Sequence, residues 1–384
     1  MVAMNCRSSL QDPTITPKKH AYIDALRGIA ILGVVSLHCS QAVPAETGLL
    51  QVLMLSGVRG VQLFYIASAI TLCMSWHARR KEEAFPVSNY FLRRFWRIAP
   101  LFYVAIISYL AMDGLGPRHW APNGIRSWFL PITVLLAHGW HPETINGIVP
   151  GGWSIAVEFT FYLFLPIALN KIANTKQSLI FLCICLGVYA ANAVYMPRIW
   201  MPIYPGEQRY LVEGFTFFNI FSQLPVFAIG ITVYFAIIEK RHLAFVACVL
   251  VPIVAVLVGL SSMGNGFSLH KTARSHLVVS ALLGGFAVFL SRQGKFHAVL
   301  VNTATVFLGK ISYGLYLTHF AVIRLLKATD LPVFSESTDA GCVCFFVTTL
   351  CIAAVLAIIA KSVIEDPFID VGRRIIANRE SGRT

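Results

Sequence analysis

The feature that most constrains this chain is a succession of apolar stretches long enough to cross hydrocarbon. A bilayer core about 30 Å thick needs roughly 17–25 residues of helix. Backbone in lipid must also satisfy its own hydrogen bonds, which leaves helices or a closed barrel. Stretches of that length fall near 24–43, 52–75, 95–112, 152–170, 177–196, 217–238, 243–261, 275–291, 303–326 and 340–364. Composition agrees, since only 13% of the residues are charged, against roughly 25% in a soluble domain. The expected fold is an all-α polytopic transmembrane helix bundle of about ten spans.

The apolar run 128–137, between Arg126 and His138, has only about ten residues and is too short to cross. It predicts a re-entrant or interfacial piece near 126–140. Charge supports this choice. Lys18-Lys19, Arg79-Arg80-Lys81 with Arg93-Arg94-Arg97, Lys171 with Lys176, Lys240-Arg241, Arg292 with Lys295, and Arg373-Arg374 all fall on one side if 128–137 does not cross. Basic loops face the cytoplasm, so both termini are expected there, with 1–20 as an N-terminal tail and 369–384 as a C-terminal tail. Residues 1–20 lack the apolar core of a signal peptide. External segments 113–151 and 197–216 then carry Trp120, Trp128, His138, Trp140, His141, Trp200, Tyr204, Tyr210 and Glu213, a composition suited to stacking on a sugar or to an interfacial aromatic belt.

The formal charge of +13 fits anionic lipid as a partner. Nucleic acid is not an expected partner, because the basic residues lie scattered between spans rather than on one soluble face. Nine cysteines sit mostly in apolar runs without a C-x-x-C pair, so neither a metal site nor a disulfide framework is expected.

Ionisable groups inside spans are expensive and need a partner, a cavity or a task. The first span carries Asp24, Arg27 and His38. Eleven residues return to within roughly 20° of the same helical face, about 16 Å further along the axis. Arg27 and His38 therefore suggest one site with two depths. A histidine suits proton removal from a hydroxyl near neutral pH, and an arginine suits bidentate binding of phosphate or carboxylate. Arg93, Arg94 and Arg97 open the third span; they read as positive-inside anchoring or as a phosphate clamp for a cytosolic nucleotide-like ligand. Glu158, in a stretch with Trp153, Ser154 and Tyr162, could pair with His38 or an arginine, or be neutral by desolvation. His319 shares a helix with Ser312, Tyr313 and Tyr316, and packing between helices is its plainest role.

Taken together and in order, these residues resemble the acyltransferase-3 family of integral membrane acyltransferases. The elements are Asp24-Ala25-Leu26-Arg27-Gly28 through His38, Gly60 to Ser68, Arg93 to Pro100, Trp153-Ser154 with Glu158 and Tyr162, Ile311-Ser312-Tyr313 to His319, and Glu365-Asp366-Pro367-Phe368. The resemblance runs from Tyr22 to Phe368, and the transmembrane domain it implies is 21–368. It implies an acyl-CoA donor, usually acetyl-CoA, presented from the cytoplasm, and a hydroxyl of a surface polysaccharide, lipid-linked glycan or related glycoside as acceptor. It implies His38 as base or transient acyl carrier, Arg27 as its partner and Glu158 beside them. Arg93, Arg94 and Arg97 would hold the donor, and Trp153, Ser154, Tyr313 and His319 the substrate. The setting would be the plasma membrane, the inner one in bacteria. Gln62 stands where many members carry Asp, and Ala69 where many carry Gly. The rival from another class is a transporter or glycan flippase, which would move substrate without consuming acyl donor and would often show an inverted repeat; none is visible.

Overall fold

The computed structural model describes residues 20–240, 249–254, 256, 258, 271–292, 294, 297–329, 331–335 and 337–382. Among these residues there is no β-strand, and eight helical segments are long and apolar enough to cross a membrane. In chain order the helices are α1 (Ala21–Ala42), α2 (Gly48–Leu55), α3 (Gly60–Arg79), α4 (Pro86–Asp113), α5 (Phe129–Val134), α6 (Trp153–Lys171), α7 (Thr175–Trp200), α8 (Arg209–Phe218), α9 (Ile220–Ile238), α10 (Lys271–Ser291), α11 (His297–Leu300), α12 (Thr303–Lys327), α13 (Pro332–Ser335), α14 (Asp339–Ala360) and α15 (Asp366–Ser381). The expected all-α polytopic bundle is what the chain forms. The expected span at 243–261 and the tail at 1–19 lie largely outside the described residues.

The short run at 128–137 folds as the six-residue α5, followed by a 3-10 turn at His138–Trp140. It belongs to a cap between α4 and α6 at the end of the bundle remote from the basic loops. Trp128 meets His141 edge-on at 4.9 Å, His141 meets Trp200 at 5.0 Å, and Tyr204 donates to Glu143 Oε1 at 3.2 Å. These aromatics hold the cap together rather than facing a ligand. His138 is buried beneath them, donates Nε2–H to the Gly152 carbonyl at 3.0 Å and stacks on Phe102. Burial pulls its pKa down to about 4.

Helix α1 is the hub, packed chiefly against α12, with α3 and α14 beside it. Ala25, Leu26, Ile31, Val35 and Cys39 along it are wholly buried. The crossing with α12 is close because glycine stands on both sides: a Cβ on Gly28 would strike the Thr305 carbonyl oxygen, and one on Gly309 the Asp24 carbonyl oxygen. Two tyrosines tie α12 to α4, Tyr313 donating to the Ile98 carbonyl at 2.7 Å and Tyr109 to that of Leu317 at 2.9 Å.

Most of the expected C-terminal tail is helical. A π turn, Lys361–Glu365, joins α14 to α15, which folds back along the start of α4. Phe368 stacks on Trp96 at 5.8 Å, and Gly372 leaves room for the same indole. Near its end, Glu380 accepts from the Ala84 and Phe85 amides at 2.8 and 3.2 Å and from Asn89 Nδ2 at 2.7 Å. A carboxylate at a helix N-terminus satisfies donors that the helix cannot. The segment is therefore held at the start of α4 by the donors that Glu380 meets there.

Candidate functional site

Two cavities meet inside the bundle. The first holds about 90 Å³ and is lined by Arg27 of α1, Ser68 and Thr71 of α3, Arg94 and Arg97 of α4, Ser154 and Glu158 of α6, and Ser312 and Tyr313 of α12. The second, about 750 Å³, is lined by His38 and Gln41 of α1, Gln62 of α3, Trp120 and Asn146 of the cap, Trp153 of α6, and Tyr210, Glu213, Phe217 and Phe218 of α8. Val61 and Tyr316 line both.

In the first cavity three guanidinium groups face one carboxylate. Arg27 donates to Thr71 Oγ1 at 3.0 Å and lies 3.6 Å from Asp24. Arg94 lies over the Tyr90 and Tyr162 rings at 5.8 and 5.9 Å, and its buried Nε has no hydrogen-bond partner. Such a donor is costly to leave unmet, and a cavity with surplus positive charge offers an anion the place to meet it. Glu158 accepts from Ser68 Oγ and, at 2.6 Å, from Tyr162 Oη. Of the two partners open to Glu158, the fold puts it on the arginine side and away from His38. Arg93, from the same basic run, points elsewhere: it makes a two-pronged pair with Glu83 at 2.6 and 3.1 Å. Helical spacing does not explain the split, since Arg97 is three residues from Arg94 and four from Arg93; the pairing with Glu83 is what turns Arg93 away.

The wall between the cavities is a short relay. Ser154 Oγ donates to Tyr316 Oη at 2.8 Å, and Tyr316 donates to the Gly151 carbonyl at 2.9 Å. Gly151 has φ of +76°, and a Cβ there would also press on Tyr316. Glycine is thus required on two counts.

The second cavity is mostly aromatic. His38 opens into it, with its ring 5.4 Å from that of His319 and 4.4 Å from that of Phe320. His319 is fully buried behind His38 and does not line either cavity. Trp153 packs on Phe218 at 4.5 Å, and His119 stacks on Tyr210 at 4.5 Å. Gln62 donates to Gln223 Oε1 at 3.1 Å, while its own buried Oε1 has no partner. At the rim Asp113 pairs with Arg324 and lies 3.6 Å from Arg118.

The structure thus gathers Arg27, Arg94, Arg97, Ser154, Glu158 and Tyr313 in one cavity and His38 with Trp153 in the next, leaving Arg93 and His319 outside both. Sequence reasoning did not single out Gln41, Thr71, Asp113, Phe217 or Phe218. Gln41 alone carried a usable signal, standing one helical turn beyond His38; the others reach the site only through packing between helices.

The fold is thus a polytopic helix bundle with half-buried arginines and a carboxylate in one cavity and a histidine in its neighbour. Residues 20–358 match the family model described as an acyltransferase domain, and the chain belongs to this acyltransferase-3 family. It is an integral membrane acyltransferase. The acyltransferase MdmB of Streptomyces mycarofaciens is 24% identical over 92% of each chain. The peptidoglycan O-acetyltransferase OatA of Listeria monocytogenes is 25% identical over 47% of this chain and 29% of its own. No solved structure matches the chain.

Proposed function

We propose that the enzyme moves an acyl group, acetyl by preference, from acyl-CoA to a hydroxyl of a cell-surface polysaccharide, lipid-linked glycan or related glycoside. The donor enters from the basic, cytoplasmic end and the acceptor from the opposite end of a plasma-membrane protein with both termini inside. One observation carries this reading: Arg27 and His38, on one face of α1, open into two cavities that meet at Val61 and Tyr316. The positive cavity offers anion contacts through Arg27, Arg94 and Arg97. Its free space of about 90 Å³ is too small for a nucleotide, which would stay outside it. The unpartnered Gln62 oxygen in the second cavity can accept from a sugar hydroxyl, and Trp120, Trp153 and Tyr210 offer stacking faces.

The chemistry balances without a further reactant. A neutral His38 removes the acceptor hydroxyl proton as that oxygen bonds to the thioester carbonyl carbon. The carbon–sulfur bond then breaks, and the imidazolium returns the proton to the departing CoA thiolate. Ester and free CoA result, and the histidine is neutral again. General-base assistance accelerates such steps roughly 10²–10⁴-fold. Purified protein incubated with radiolabelled acetyl-CoA and a glycolipid and polysaccharide fraction of the source cells should label the glycan and release CoA only when acceptor is present. His38→Ala should lower that rate by about 10²-fold or more with the melting curve preserved. Undiminished labelling by this variant, or glycan movement without CoA release, would refute the proposal.

A further inference from the structure

We propose that Gln41 is the positioning residue that selects the tautomer of His38 and so presents a basic nitrogen to the second cavity. The inference rests on the reading of His38 as base. His38 Nδ1 lies 3.0 Å from Gln41 Oε1. An amide oxygen only accepts, so the ring donates Nδ1–H to it, and the lone pair of the neutral imidazole stands on Nε2. A ring free of this bond would divide itself between two tautomers, one of which has its hydrogen where the acceptor hydroxyl must deliver its own.

Geometry favours a fixed arrangement. Gln41 is three residues beyond His38 on the same helix, so the two side chains are neighbours on one rigid element. Both line the second cavity. The ring also packs on His319 and Phe320 of α12, at 5.4 and 4.4 Å between centroids. Gln41 therefore sets the hydrogen of a ring whose orientation α12 already restricts. The other titratable or charged groups around this space are Tyr316 and His319 of α12, Asp113 at the end of α4, Arg118 and His119 of the cap, and Tyr210 and Glu213 of α8. The hydrogen bond to the His38 ring comes from none of them.

Through the reaction the bond keeps its sense. Nε2 takes the hydroxyl proton, and the imidazolium still donates Nδ1–H to Gln41. Nε2 then releases its proton to the thiolate, and the starting tautomer is recovered with no proton left on the enzyme.

The test compares Gln41→Met and Gln41→Glu with wild type by two measurements, and His38→Ala by the first alone. One is acetyl transfer from labelled acetyl-CoA to the same glycan fraction. The other is carbethoxylation of His38 by diethyl pyrocarbonate, which attacks the unprotonated ring and needs no acceptor, read by peptide mass spectrometry from pH 5 to 8. Loss of the group that orients a metal-bound imidazole lowers activity about 10–100-fold, and a loss of at least that order is expected for Gln41→Met at unchanged donor KM. Gln41→Glu keeps an acceptor and adds a negative charge. It should restore at least tenfold of the lost rate and move the midpoint of the carbethoxylation curve about one unit to higher pH. A side chain at position 41 that does not face the His38 ring would leave that midpoint in place. Full transfer by a folded Gln41→Met protein overturns the inference, as does an unshifted Gln41→Glu curve, which alone decides if the methionine variant fails to fold. His38→Ala reports on the base itself. If it remains active, the function proposal fails; if it is inactive while the Gln41 variants behave as wild type, only this inference does.

Discussion

His138 shows what burial of a single polar side chain does in this protein. The ring is 2% exposed, and its Nδ1 has no hydrogen-bond partner. Its folded pKa of about 4 lies below the roughly 6.5 of an unfolded histidine. Between those values the unfolded chain binds the extra proton, so stability is complete above about pH 6.5 and falls as pH drops toward 4. The full interval corresponds to roughly 3 kcal/mol, and the cap is the part that should feel it. The melting temperature of detergent-solubilised protein is expected to fall between pH 7.5 and 4.5. His138→Gln, which keeps an N–H for the Gly152 carbonyl and cannot titrate, should flatten that decline; an equally steep curve would show that other groups dominate. From the sequence His138 looked like a candidate for sugar contact, because an external histidine among aromatics is compatible with either fate. Only the packing of Phe102 and Gly152 around it distinguishes the two.

Between elements, the α1–α12 crossing decides where the site residues stand. Helix periodicity alone puts Arg27 and His38 on one face. It does not say that Tyr313 will stand beside Arg27 and His319 behind His38. That juxtaposition depends on Gly28 and Gly309, which let the two backbones touch. Gly28→Ala and Gly309→Ala should each destabilise the fold by about 1–3 kcal/mol, the usual penalty of overpacking, and reduce transfer because both cavities share this seam. Gly187, with open space where a Cβ would sit, is the control: its alanine variant should melt like wild type. Thermal melts in detergent check all three, and a stable, fully active Gly28→Ala protein would contradict the close crossing. A similar exchange of small residues accounts for Ala69. Its Cβ faces Gly230 of α9, so the glycine needed at that contact is supplied by the partner helix.

At the scale of the whole molecule, α15 braces the helix that carries Arg94 and Arg97. It caps α4 through Glu380, and Arg379 donates to Ser88 Oγ at 2.8 Å. Helix α4 carries Arg94 and Arg97, so the last helix in the chain supports cavity residues nearly three hundred positions earlier. Hydrogen bonds to the Ala84 and Phe85 amides hold the Glu380 carboxyl below its ordinary range. Removal of residues 366–384 should therefore fray the start of α4, speed tryptic cleavage at Arg79–Lys81 and Arg93, and weaken donor binding. Limited proteolysis followed by peptide mapping checks this. Unchanged cleavage rates would mean that α15 rests on α4 without supporting it.

The amino-acid sequence by itself determined the class of fold, because a lipid-crossing backbone has few solutions and apolar length declares it. It also determined the shared face of Arg27 and His38, since that follows from 3.6 residues per turn, and its ordered motifs were enough to indicate the family. The tertiary structure decided which basic residues gather and which pair away, that the tail becomes a brace, and that one helix serves two cavities. Those outcomes rest on contacts between residues tens to hundreds of positions apart, Arg27 with Thr71, Glu158 with Ser68, Glu380 with Ala84. Periodicity reports which way a side chain points from its own helix, and only packing supplies what it meets there.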